Sequence, residues 1–165
     1  MIFLLLPRLD AAANSLSKLK DKAASFDDVV AACLGGDLNF LPSYNDITTF
    51  VRDVTYLYPE VATMSSIGKT FQDREIPLLT LSLQPAESSY SPSHIESSIL
   101  IDGLQHAREL VTLSMFKYLV LRLLYDYEHD DQVVRILLEN HRIYLVPAVN
   151  VDTLLEISNY YYANH

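Results

Sequence analysis

The order of hydrophobic patterns along the chain predicts an α/β fold, a mixed parallel and antiparallel sheet of about four strands with helices on both faces. Three observations carry this expectation. A helix-periodic stretch precedes two short strand patterns whose separation suits an antiparallel hairpin. The run Ile99-Leu100-Ile101 is continuously apolar, as in strands covered on both faces. Two further helical patterns then lead into a last strand pattern, "RIYLVPAVN".

Taken in order, "SYNDITTFVRDVTYLYP" places Ile47, Phe50, Val51, Val54, Leu57 and Tyr58 at helical spacing. Ser43 followed by Asp46 resembles a capping box, with Asp in place of Glu or Gln, and Pro59 stops the helix. Strand patterns follow at 62–68 and 75–83, joined by "KTFQDR". "QPAESSYSPS" is a Pro/Ser loop, and residues 97–102 form a third strand. A long helix is expected from Arg108 to about Tyr127, with Leu110, Val111, Leu113, Ser114, Leu121, Leu124 and Tyr125 on its packed side. Asp130 and Asp131 open another helix, "DDQVVRILLEN". Residues 1–42 are left unassigned, as a weak signal or pro-region; "NSLSKLKDKAASFDDVVAACLGG" has helical spacing in places, with Gly35-Gly36 as a stop.

Composition narrows the function. At 165 residues, half of them hydrophobic, the chain is long enough for a core of its own. Twelve Lys and Arg face 21 Asp and Glu, for a net charge of -9, with no basic cluster. That balance argues against nucleic acid and anionic membranes as partners. No apolar run approaches the roughly 18 residues of a membrane span. The single Cys33 excludes an internal disulfide and reads as a small buried hydrophobe. "MIFLLLPRLDAAANS" has an apolar stretch and small residues at Ala11 and Ala13, but no positive n-region, and Pro7, Arg8 and Asp10 interrupt it. It leans toward secretion.

The chemistry concentrates in "DGLQHAREL", directly after the third strand. Open α/β sheets bind ligands beyond the carboxyl ends of their strands. His106 and Glu109 are ordinary zinc-ligand types, and a loop-to-helix turn can bring residues at this spacing to one point. Arg108 must then project differently, where its paired donors could hold a carbonyl or carboxylate. The pair alone is weakly specific, since His-x-x-Glu arises by chance in roughly a quarter of chains of this composition. Read locally, it is equally a polar strand-to-helix turn in which Glu109 favours the helix N-terminus. No Gly-x-Ser-x-Gly elbow, phosphate-cradling Gly loop or Cys-rich zinc motif occurs.

Three blocks, "IGKTFQDREIPLLTLS", "DGLQHAREL" and "YLVPAVNVD", occur in this order and spacing. Together they resemble the zinc metallocarboxypeptidases of the carboxypeptidase A type. That family's patterns are an Ile-Gly-Lys-Ser hairpin, Gly-x-His-x-Arg-Glu and Asn-Pro-Asp-Gly. Gln105 makes the second block one residue longer, a variant that occurs in the family. Val151 and Thr153 replace the Pro and Gly of the third, so that turn must be built differently. The resemblance covers residues 43–152. It implies that His106 and Glu109 are zinc ligands and that Arg108 binds substrate near the scissile bond. It further implies one zinc ion and the C-terminus of a peptide or protein as substrate.

The resemblance also implies that the site is incomplete here. In the family the oxyanion-stabilising Arg, the Asn-Arg pair that clamps the terminal carboxylate, the third zinc ligand, a mobile Tyr and the Glu general base all follow later. "YYYANH" matches none of them, and a terminal His165 is too frayed to substitute. No catalytic residue is therefore assigned. The expectation is an N-terminal portion of a metallocarboxypeptidase domain over 43–165, inactive alone and exposing a strand edge and apolar faces. The alternative is a natural truncated, non-catalytic binding or regulatory protein on the same fold. The segments that set preference for the C-terminal residue are not in this chain.

Overall fold

The computed structural model describes residues 16–34, 43–84 and 97–164, with side chains through Tyr161. The N-terminal apolar stretch, the Gly35-Gly36 stop, nearly all of the Pro/Ser loop and His165 lie outside the described residues.

After a 3-10 turn at Lys18–Lys20, helix α1 runs Phe26–Leu34. It opens on a capping box that the sequence reading overlooked. Ser25 Oγ accepts from Asp28 N at 3.2 Å, and Asp28 Oδ2 accepts from Ser25 N at 3.1 Å. The Ser25 hydroxyl, which also donates to Asp28 Oδ2 at 2.7 Å, and after it the Ser25 amide hold the Asp28 carboxyl below its usual range. Helix α2, Tyr44–Leu57, carries the expected box, with both Ser43–Asp46 bonds made, and buries Ile47, Phe50, Val51 and Val54.

Strands β1 (Ala62–Lys69) and β2 (Glu75–Leu81) form the expected antiparallel hairpin. The register shifts between Ser66 and Lys69, where Gly68 takes φ +136°, a value that favours glycine. Strand β3 is Ser97–Asp102; helices α3 (Val111–Glu128) and α4 (Gln132–Asn140) follow, then β4 (His141–Val146). The Asp131 side chain caps α4 by accepting from Val133 N and Val134 N. The sheet order is β1-β2-β4-β3; β4 runs antiparallel to β2 and parallel to β3. This is the mixed α/β sheet that the sequence predicted.

Alternation along the central strands decides which face carries the core. Leu79 and Leu81 of β2 lie opposite Leu145 and Ile143 of β4, and all four are buried. They share one apolar cluster with Phe50, Val51 and Val54 of α2, Phe116, Val120, Leu121 and Leu124 of α3, and Val134 and Leu138 of α4. The opposite face carries Thr63, Ser65, Leu78, Thr80 and Tyr144, which line a trough of about 630 Å³. Cys33 packs against the core cluster, and burial pushes its thiol up to about 11, as suits an unreactive cysteine. No helix among the described residues is long and apolar enough to cross a membrane.

Four expectations are corrected. The long helix starts at Val111 rather than Arg108, so Glu109 precedes it. Val111, expected on the packed side, is 68 % exposed, because helix phase assigns the core to Leu113, Phe116 and Val120. Strand β3 is not buried on both faces: Ile99 is 38 %, Leu100 66 % and Ile101 37 % exposed. Among the described residues it sits at the end of the sheet, with a strand neighbour on one side only. Lastly, the segment after β4 is not a bare turn, since a further helix, α5, runs Val151–Asn164.

The exposed β3 edge yields a prediction. A flat apolar edge with free backbone donors and acceptors templates pairing between chains. Leu100→Lys should shift the chain from aggregate toward monomer in light scattering at neutral pH, with little change in helix content. A sharp two-state melt of a wild-type monomer would count against this.

Helix α5 is tied to the hairpin turn by Asp152. Its Oδ1 accepts from Thr70 Oγ1 at 2.8 Å and Arg74 Nη1 at 2.6 Å, and its Oδ2 accepts from Gln72 N at 3.1 Å. Burial alone would raise this carboxyl, but the bonds from Arg74, Thr70 and Gln72 outweigh it and hold the group below its ordinary value. A lowered folded pKa gives a contribution that is full above the unfolded value, about 3.9, and is lost as pH falls through the folded one. The chain should therefore melt at lower temperature at pH 3 than at pH 6, and Asp152→Asn should reduce that difference. An unchanged pH dependence in the variant would refute the assignment.

Candidate metal centre

The site is built at the carboxyl end of β3. Gly103 N donates to Val146 O at 2.9 Å, and Val149 N donates back to Gly103 O at 3.0 Å. A methyl group at Gly103 would sit 2.9 Å from Pro147 O, so only glycine permits this close crossing. Leu104 then takes φ +50°, uncommon for a bulky residue, while its side chain is 1 % exposed in a second apolar cluster with Ile47, Leu113, Ala148, Val151 and Leu154. Asn150 N donates to Leu104 O at 3.1 Å, and Asn150 Nδ2 to Gln105 O at 3.4 Å. The Asn150 Oδ1 also accepts from Thr153 N at 3.3 Å, which makes Asn150 the N-cap of α5. The turn lacking the family's Pro and Gly is thus built as a helix start.

From His106 the chain descends in tight steps into α3: Glu109 N donates to His106 O, Thr112 N to Glu109 O and Leu113 N to Leu110 O, each at 3.0 Å. These are i to i+3 bonds, the 3-10 pattern, in which side chains three apart eclipse. That local winding brings His106 over Glu109, and His106 Nδ1 lies 3.1 Å from Glu109 Oε1. Arg108, one residue earlier, is turned away by roughly 120°. It is exposed and makes no hydrogen bond or ion pair among the described residues. The structure joins His106 and Glu109 at hydrogen-bond distance and sets Arg108 apart.

Helix α3 has no side-chain cap bond, and the Glu109 carboxylate is directed at the imidazole. Both groups are accessible, His106 at 69 % and Glu109 at 48 %. An exposed pair of this kind contributes at most about 1 kcal/mol to stability. Two donors sharing one tetrahedral ion at ordinary zinc distances of about 2.0–2.2 Å lie roughly 3.3 Å apart, close to the separation found. Among the described residues no third His, Cys, Asp or Glu joins them. The trough on the far face of the sheet is lined by none of the three site residues.

The residues that sequence reasoning missed are the ones that hold this loop, Thr112 and Asn150, together with Asp152, which ties α5 to the hairpin turn. The cue for Asn150 was present, since an Asn at a strand end followed by an acid at the second helical position is an N-cap signal.

The mixed sheet, with a His and a carboxylate facing each other beyond a strand end, defines an α/β fold with its candidate site at the carboxyl end of β3. The family model for zinc carboxypeptidases matches residues 47–153, and the chain belongs to that family. Among curated relatives, the "Inactive metallocarboxypeptidase ECM14" of Paracoccidioides lutzii is 27 % identical over 109 residues, which are 66 % of this chain and 18 % of that protein. The "Zinc carboxypeptidase" of Saccharothrix mutabilis is 29 % identical over 126 residues, 71 % of this chain and 27 % of that one. Among solved structures, the carboxypeptidase A from Helicoverpa armigera superposes with a TM-score of 0.57 at 23 % identity, covering 81 % of this chain and 32 % of that one. This likeness is one of fold. The chain spans less than a third of the length of each of these relatives.

Proposed function

We propose that this chain supplies the first half of the zinc site of a metallocarboxypeptidase, with His106 and Glu109 as metal ligands and Arg108 as a substrate-binding residue. The observation that carries the reading is the approach of His106 Nδ1 to Glu109 Oε1, with the carboxylate spent on neither the helix end nor the core. Zinc bound there would lower the pKa of a coordinated water and polarise a peptide carbonyl. His106 and Glu109 would hold such an ion, and Arg108 would offer a guanidinium to the carbonyl or terminal carboxylate of a peptide C-terminus. Catalytic zinc sites ordinarily use three protein ligands. A complete site thus draws its third ligand and general base from outside the described residues, and the chain alone binds zinc weakly without hydrolysing peptides. An extracellular setting agrees with the apolar N-terminal stretch.

A second reading, a non-catalytic binding or regulatory protein on the same fold, is favoured by one observation: the relative from Paracoccidioides lutzii is named as inactive. Equilibrium dialysis against zinc tests the first half of the proposal. One ion per chain, lost in His106→Ala, is expected, and equal uptake by the variant would overturn the ligand assignment. Zinc-dependent release of C-terminal amino acids from peptides by this chain would overturn the claim that it is not catalytic alone.

A further inference from the structure

The loop that presents the two donors is closed by one hydroxyl. Thr112 Oγ1 accepts from Leu104 N at 3.0 Å and donates to Glu109 O at 2.8 Å. The Thr112 amide also donates to Glu109 O at 3.0 Å, so this residue meets both ends of the segment that contains His106. The Leu104 amide most needs such a partner. It belongs to a buried residue in the left-handed region, and a buried amide without a partner is costly. The opposite side of the loop is held by β4 and Asn150.

We infer that Thr112 is a positioning residue for the proposed metal centre: its side chain locks Leu104 to Glu109 and so keeps the Glu109 carboxylate facing the His106 imidazole. The inference rests on the reading of His106 and Glu109 as zinc ligands, and it deepens that reading by naming what sets their separation. The loop's other side-chain bonds join Gln105 Nε2 to Asp102 Oδ1 and His106 to Glu109, or come from Asn150. Among the described residues only the Thr112 hydroxyl bonds both Leu104 and Glu109. A serine keeps this coupling, whereas a valine keeps the shape and loses both hydroxyl bonds.

The test uses the full chain and three proteins, wild type, Thr112→Val and Thr112→Ser, with two readouts. Hydrogen–deuterium exchange read by mass spectrometry at micromolar concentration follows the Leu104 amide, with Leu145 in the central strand as a control for global opening. Zinc affinity is measured by competition with a chromophoric chelator. Thr112→Val should exchange Leu104 about tenfold faster with Leu145 unchanged, and should bind zinc about tenfold more weakly. Thr112→Ser should restore both to within about threefold. Wild-type exchange at Leu104 in Thr112→Val overturns the inference whatever zinc does. Faster exchange with undiminished zinc affinity overturns the positioning role. If wild type takes up no zinc, the ligand reading fails and the inference, which depends on it, falls with it.

Discussion

Glu109→Ala should lower the zinc affinity of the chain by at least about 100-fold while moving its denaturation midpoint by no more than an exposed surface pair can. The two effects separate because the two roles separate. The His106–Glu109 pair is accessible on both sides, at 69 % and 48 %, so the contact competes with water and is worth about 1 kcal/mol or less. As ligands, however, these are the donors present among the described residues, and no third is available to compensate. Removing even an outer-shell partner of a metal ligand typically costs 10–100-fold in affinity, so about 100-fold is a floor for a ligand itself. A competition titration gives the first number and urea denaturation the second. Equal zinc affinity in the variant would remove Glu109 from the site. A large loss of stability would restore the helix-end role that its side-chain direction argues against.

Leu145→Ala should destabilise the chain by about 3–5 kcal/mol, enough to unfold a large part of a marginal domain. Leu145 is fully buried and lies opposite Leu79 on one side and Ile101 on the other. Truncation would empty space beneath the strand that joins the hairpin to β3, and neighbours held on both sides by backbone ladders relax little. The loss should reach the metal centre, because β4 continues into the Pro147–Asn150 segment that pins Gly103 and Leu104. Chemical denaturation measures the cost. A loss below about 1 kcal/mol would show that the site collapses freely and that the sheet is loosely packed.

The contrast between these two positions mirrors what could be read from the chain. The β1–β2 hairpin, the Ser43 cap of α2, strand β3 to the residue and the pairing of His106 with Glu109 all rest on short-range patterns. Period, turn residues and three-residue spacing are local properties, visible without knowing what packs where. The Ser25 cap of α1 was equally local and was simply overlooked.

Other features depend on residues distant in sequence. Strand β3 is as apolar as a doubly covered strand, and its position at the end of the sheet among the described residues exposes it. Thr112 reads as an ordinary helical residue until Leu104 folds back onto its hydroxyl. Asp152 acquires its role from Thr70, Gln72 and Arg74, some eighty positions away. The sequence by itself determined the hairpin, the cap of α2, strand β3 and the three-residue spacing of His106 and Glu109, because hydrogen bonding within a turn or hairpin is set by neighbours along the chain. The tertiary structure decided which apolar residues are covered and which polar ones hold the donor loop, because burial and long-range hydrogen bonds exist only once the strands are ordered.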